Sequence, residues 1–114
     1  MSDCIFCKIV KKEIPSQIVY ESPDLVAFRD INPQAPTHIV LVPKTHMERV
    51  SDLTPQTAPL VGELVLAANR LAKEFGVSDT GYRLVINCNR DGGQTVFHLH
   101  LHLLGGRAFH WPPG

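Results

Sequence analysis

The sequence predicts a single α+β domain: an antiparallel sheet of about five short strands with one long helix and a short N-terminal helix. Three observations lead there. Only one long stretch, Thr57 to Phe75, carries apolar residues at helical spacing. The other apolar runs are short and mostly separated by turn residues rather than by helices. The regular strand–helix alternation of a doubly wound dinucleotide-binding sheet is absent. At 114 residues the chain reads as one domain, residues 1–114, with enough length for a real core.

Taken in order, Cys4 to Val10 reads as a short helix that ends before the Glu13-Ile14-Pro15 corner. Ile18 to Glu21 and Leu25 to Arg29 are two β runs joined by the Ser22-Pro23-Asp24 turn, which makes a hairpin. Asn32 to Pro36 is loop, because its two prolines spoil helix and ladder alike. His38 to Val42 is almost continuously apolar and predicts a central strand buried on both faces. In the long helix, Leu60, Leu64, Ala67 or Ala68, Leu71 and Phe75 form the stripe, widened by Val61, Val65 and Ala72. Thr54-Pro55, or Thr57 with Pro59, supplies its start and Gly76 its stop. Tyr82 to Asn87 and His98 to Leu104 are the last two strands, with Asn89 to Gly93 read as a hairpin connection.

Eleven basic and eleven acidic residues cancel. A neutral chain with no Lys/Arg cluster has little field to hold a polyanion, so nucleic acid polymers are not expected as partners. A single nucleotide needs only a few local donors and stays allowed. No stretch approaches the roughly 18–20 apolar residues of a membrane span, and Met1-Ser2-Asp3-Cys4 lacks the character of a signal peptide. Three cysteines do not form a secreted disulfide framework, so the expected compartment is a reducing cytoplasm.

The segment Phe97-His98-Leu99-His100-Leu101-His102-Leu103-Leu104 concentrates the chemistry. In a strand, alternate side chains share a face, so the three rings would project together, about 6.6–7 Å apart, with the leucines and Phe97 in the core. Imidazole is at once nucleophile, proton carrier and metal ligand, which marks this face as reactive. Cys4-Ile5-Phe6-Cys7 supplies two thiols at a spacing that suits one zinc, but a tetrahedral site needs two further ligands. Cys88 reads as a packed strand-end residue.

The histidine run followed by Gly105-Gly106-Arg107 resembles the signature of the histidine triad (HIT) family. Glu13-Ile14-Pro15, Phe28 to His38, Gly81-Tyr82-Arg83, Asp91 to Gln94 and His110-Trp111-Pro112-Pro113-Gly114 sharpen the likeness to its Hint branch, the histidine triad nucleotide-binding proteins. These blocks span nearly the whole chain. The resemblance implies a purine nucleotide-binding hydrolase that cleaves the P–N bond of nucleoside 5′-phosphoramidates, of the adenosine 5′-monophosphoramidase type, through a nucleotidyl-histidine. Its partners would be purine mononucleotides, their phosphoramidates and a second copy of the chain in a two-fold dimer.

Carried over residue by residue, the resemblance makes His100 the nucleophile, His102 a phosphate and leaving-group contact, and His38 a supporting histidine from a neighbouring strand. Asp30 and Ile31 match positions that hold the ribose and cover the base. Asn87 and the Gly93-Gln94-Thr95 segment match contacts to the phosphate, the latter through backbone N–H groups and a hydroxyl. Some relatives join a Cys-x-x-Cys to a histidine after Pro-Lys and to the first triad histidine around zinc; here these are Cys4, Cys7, His46 and His98. Zinc would be structural, and no organic cofactor is implied. Trp111, on a proline-stiffened tail, would reach toward the partner's active site, the alternative being a tail folded on its own domain. Two other readings stay open: a metallohydrolase using the alternating histidines as ligands, and a nucleotide sensor or scaffold without turnover. Three alternate rings span about 13 Å, too far to meet one ion on a straight strand.

Overall fold

The computed structural model describes residues 3–114; Met1 and Ser2, part of the segment read as lacking a signal peptide, lie outside the described residues. Five strands, β1 (Ile18–Glu21), β2 (Leu25–Arg29), β3 (Thr37–Pro43), β4 (Tyr82–Val85) and β5 (Leu101–Gly105), form one sheet in the order β1-β2-β3-β5-β4. Every neighbouring pair is antiparallel. Helix α1 (Ile5–Val10) covers one face and α2 (Pro59–Glu74) the other. Among the described residues no helix is long and apolar enough to cross a membrane.

The alternation of side chains along the central strands divides the core in two. Leu25, Ala27, Ile39, Leu41, Leu101 and Leu103 face α2, which answers with Leu64, Ala67, Ala68, Leu71 and Ala72. Val26, Phe28, Val40 and Val42 point the other way and meet Phe6 and Ile9 of α1. β3 is therefore buried along its whole length, as its unbroken apolar run predicts. His38 alternates with Val40 and Val42, and His102 pairs with Val40 across the ladder. Both histidines thus belong to the α1 face.

The helix boundaries follow local chemistry. Cys4 caps α1, its sulfur accepting the Cys7 N–H at 3.4 Å. Pro59 opens α2 after a turn in which the Thr54 N–H donates to the Thr57 hydroxyl; Ala58, the capping position, offers no side-chain bond. At the other end Gly76 takes φ +75°, and the N–H groups of Gly76 and Val77 return to the carbonyls of Lys73 and Ala72. Lys12 and Lys44 grip Glu21 between them at 2.8 Å each and hold its pKa down at about 2. A short 3₁₀ turn at Val50–Asp52 is an addition to the elements expected.

The main departure lies between β4 and β5. The strand expected over Tyr82–Asn87 ends at Val85, and that over His98–Leu104 begins at Leu101. The connection is therefore the long excursion 86–100 rather than a tight hairpin at Asn89 to Gly93. Buried Gln94 braces it: its Oε1 accepts from the Asn89 N–H, and its Nε2 donates to the carbonyls of Glu48 and Val96. The Leu99 N–H donates to the Met47 carbonyl, which pulls this segment toward the stretch after β3 and off the ladder. Phe97, expected in the core, is 42% exposed as a result, whereas Leu99 is buried.

Candidate active site

His98, His100 and His102 all stand on the α1 side of the sheet, where Phe6 meets the rings of His98 and His100 edge-on at 6.0 and 5.0 Å. His102 sits in β5 and His100 in the irregular lead-in, their ring centroids 4.9 Å apart. The His98 ring also lies against His46, at 4.8 Å. The expected even spacing fails because the lead-in folds back on itself: His100 Nδ1 lies 2.7 Å from the His98 carbonyl.

Hydrogen bonds assign each ring's tautomer. His100 Nδ1–H donates to the His98 carbonyl, so its Nε2 keeps a free lone pair. His38 Nδ1 accepts the Gln34 N–H at 3.0 Å, so its proton sits on Nε2. That Nε2–H donates to His102 Nδ1 at 2.9 Å, with an Asp30 carboxylate oxygen 3.5 Å away. His102 is thereby left with an Nε2–H. Burial depresses the pKa of all three rings. For His102 the neighbouring His100 and His38 add to burial, Asp30 opposes, and the result is about 4. Near neutral pH the cluster is uncharged, which suits a nucleophile.

His100 and His102 border a cavity of about 330 Å³. Ile5, Phe6 and Ile9 of α1 line it, with Phe28 and Val40 of the sheet. Ser16, Arg29, Asp30, Thr95 and the two histidines are the polar residues of its lining. Ile31, also in the lining, is 98% exposed and stands at the rim. Phe6 meets the His100 ring edge-on at 5.0 Å. An apolar slot with polar groups gathered near paired imidazoles suits a flat heterocycle attached to an anionic group.

A second cluster forms around His98. Its Nε2–H donates to the Pro43 carbonyl at 2.8 Å, which frees Nδ1. That nitrogen lies 3.1 Å from His46 Nδ1, 3.3 Å from Cys4 Sγ and 3.6 Å from Cys7 Sγ. Cys7 Sγ is 3.2 Å from His46 Nδ1, and all four donors fall within 4.8 Å of one another. A zinc ion bound to two nitrogens and two sulfurs keeps its ligands about 3.3–3.8 Å apart, so the donor set fits. The His98–Pro43 bond is the outer-shell contact that orients a ligating imidazole. Cys88 stands elsewhere, its sulfur 3.4 Å from the Ser51 hydroxyl.

Asp30, Ile31, Thr95, His100 and His102 thus gather at one cavity, and His38 stands directly behind His102. Asn87, Gly93 and Gln94 are not among the residues lining it. The Gly93 and Gln94 N–H groups bond to the Arg90 and Asn89 carbonyls, and the Gln94 side chain is the brace described above. The expected anion-binding run of free N–H groups is therefore not formed there; Thr95 is the member of that segment that reaches the cavity. The sequence reading missed the α1 wall, although Phe6 and Ile9, three residues apart, already mark one apolar face. It also missed Gln34, whose role rests on a backbone N–H that no side-chain pattern reveals.

The model of the HIT domain family matches residues 11–109. The chain belongs to the HIT domain family. Among similar HIT proteins, purine nucleoside phosphoramidase of Escherichia coli strain K12 is 47% identical over 105 residues, covering 92% of this chain and 88% of that protein. An uncharacterized HIT-like protein of Synechocystis is 53% identical over 98% of this chain and 97% of its own length. The crystal structure of a HIT family hydrolase from Legionella pneumophila superimposes with a TM-score of 0.96 at 49% identity, covering 98% of this chain and all of that one. A histidine triad protein from Clostridium difficile gives 0.93 at 45% identity, covering 96% of both chains. The five-stranded antiparallel sheet with one long helix is the HIT fold that these structures share.

Proposed function

We propose that this HIT-family chain is a hydrolase that cleaves the P–N bond of purine nucleoside 5′-phosphoramidates. The observation that carries the reading is the free Nε2 of His100 at a mostly apolar cavity, held in that tautomer by the His98 carbonyl and backed by the Asp30–His38–His102 cluster. Kinship with the Escherichia coli phosphoramidase supports the choice of substrate class.

The purine lies between the α1 wall and Ile31, the Asp30 carboxylate accepts the ribose hydroxyls, and the Thr95 hydroxyl meets the phosphate. His100 Nε2 attacks the α-phosphorus and the P–N bond breaks. Meanwhile His102 Nε2–H donates a hydrogen bond to the phosphoryl oxygen or the departing nitrogen. The amine leaves with one proton taken from solvent, and His100 holds the nucleotide as a cationic N-phosphoryl ring. Water then attacks phosphorus, releases the nucleoside monophosphate and returns the proton. The test is turnover of adenosine 5′-phosphoramidate: His100→Ala should lose about 10³-fold or more in kcat with nucleotide affinity kept. Turnover near wild type in that variant contradicts the mechanism.

The quartet Cys4, Cys7, His46 and His98 is proposed to hold a structural zinc that pins α1 to the lead-in of β5, while the nucleotide chemistry belongs to His100. Metal coordination by the three alternating histidines together is disfavoured by their hydrogen bonds, since His98 uses Nε2 on the Pro43 carbonyl, His100 uses Nδ1 on the His98 carbonyl and His102 uses Nδ1 on His38. Assembly is proposed as a two-fold dimer in which Trp111, 84% exposed, reaches the partner's site. Support comes from the tail's anchorage, because Arg83 donates to the carbonyls of His110 and Pro113 on either side of Trp111.

A further inference from the structure

The Gly106-Arg107 pair follows the histidine strand directly, yet the reaction outlined above gives it no task. Its position is unusual. Gly106 takes φ +92°, and a Cβ there would stand 2.9 Å from Cβ of Pro36. Only a residue without a side chain lets the end of β5 pass this closely over the Asn32–Pro36 loop. The crossing places Arg107 so that its Nε–H donates to the Gln34 carbonyl at 3.1 Å. Its Nη1 donates to the Ala108 carbonyl at 3.0 Å, and its guanidinium lies over the Phe109 ring at 4.2 Å. The side chain is thereby stiffened by two further contacts.

Gln34 is the residue whose N–H donates to His38 Nδ1 at 3.0 Å. The Gln34 N–H and carbonyl belong to successive peptide planes joined at its Cα, so the Arg107 bond to the second plane limits how far the residue can rotate to turn the N–H of the first away from His38. The Asp30 N–H donates to the His38 carbonyl, and the Asn32 N–H to Asp30 Oδ1, so the loop's start is fixed as well. The continuous path runs from Arg107 through the Gln34 backbone to His38 and on to His102 Nδ1.

We propose that Gly106 and Arg107 form a latch on the Gln34 loop that sets the tautomer of His38, and through it the tautomer that His102 presents to the cavity. With the latch closed, His38 carries its proton on Nε2 and hands His102 a donor, so His102 faces the substrate with Nε2–H. With it open, His38 can place its proton on Nδ1, and His102 then faces the cavity with a lone pair that repels an anionic phosphate. Arg107 touches no substrate; it is a positioning residue. The tautomer claim stands independently of the proposed reaction, and only its catalytic consequence rests on the phosphoramidase reading.

Long-range ¹H–¹⁵N correlation of the imidazoles in the full-length protein reads the tautomers directly. In the wild type, His38 should show an unprotonated Nδ1 and a protonated Nε2. In Arg107→Ala, whose side chain is exposed and whose fold should persist, the two forms should mix. Then kcat for adenosine 5′-phosphoramidate should fall about three- to tenfold, and adenosine monophosphate should bind more weakly. Arg107→Lys, which keeps one donor, should recover part of both readouts. Gln34→Pro, which deletes the N–H itself, should mix the tautomers at least as strongly. An Arg107→Ala protein with the wild-type tautomer pattern overturns the latch, whatever its activity. Mixed tautomers without any phosphoramidate turnover in the wild type support the latch and count against the proposed function instead.

Discussion

His100 and His102 differ in what their second nitrogen does, and that difference divides the chemistry between them. His100 donates its Nδ1–H to a carbonyl and keeps a lone pair for attack; His102 accepts a hydrogen bond from His38 at Nδ1 and keeps an Nε2–H donor. Burial holds both rings neutral, His102 down to about 4. Since kcat/KM follows the free enzyme, its acid limb should lie below the ordinary histidine range, because burial lowers the pKa of His38, His100 and His102 alike. An acid limb near 6.5, the ordinary histidine value, contradicts this arrangement. The same shifts act on stability. Unfolded histidines take up protons near pH 6.5 and the folded rings only below it, so the unfolded chain binds more protons in that window. Resistance to urea should therefore drop as pH falls from 6.5 toward 4. Residue identities at the site were legible in part: His98, His100 and His102 stand at alternate positions, whereas His38 and His46 are isolated and were reached only through the family resemblance. Their orientations were not. Strand periodicity spaces the rings evenly, whereas each ring's bonding partners, the His98 carbonyl for His100, the Pro43 carbonyl for His98 and His38 for His102, depend on contacts that periodicity does not show.

At the scale of elements, α1 does two things at once. Phe6 and Ile9 wall the cavity, while Cys4 and Cys7, at the helix's first turn, face His46 and His98. Metal analysis should find about one zinc per chain, lost in Cys4→Ser/Cys7→Ser, and that variant should bind adenosine monophosphate more weakly because the wall is no longer pinned. Absence of metal from protein purified under reducing conditions without a histidine tag contradicts the site. α2 plays the opposite part, packing the far face of the sheet away from the chemistry. Leu71→Ala should cost about 2–5 kcal/mol in denaturant unfolding with kcat little changed. Both helices and β1 to β3 were readable from periodicity, prolines and the unbroken apolar run. β4 and β5 were readable in existence but not in extent, because the Gln94 brace and the Leu99–Met47 bond are long-range contacts that no local pattern announces.

On the scale of the whole molecule, the sheet order puts the two hairpin strands at one edge and β4 at the other, with the tail laid along Arg83 of β4. Arg83 and Arg107 both lie over the Phe109 ring, at 5.1 and 4.2 Å, and hold Trp111 outward. In a dimer this tail would shape what lies beyond the phosphate. Deleting Phe109 to Gly114 should alter preference among leaving amines more than adenosine monophosphate affinity. Sedimentation should report a dimer at micromolar concentration; a monomer there, or unchanged amine selectivity, contradicts the assembly. The sequence shows an exposed aromatic on a stiff tail but not where it points, because that depends on a second copy.

The central claim is that His100 is the atom-bearing nucleophile. Rapid acid-free quenching during turnover of adenosine 5′-phosphoramidate, followed by peptide mass spectrometry, tests it directly. The account predicts an adenylyl mass adduct on His100, absent from His100→Ala. An adduct on another residue, or full turnover with none at early times, would contradict it.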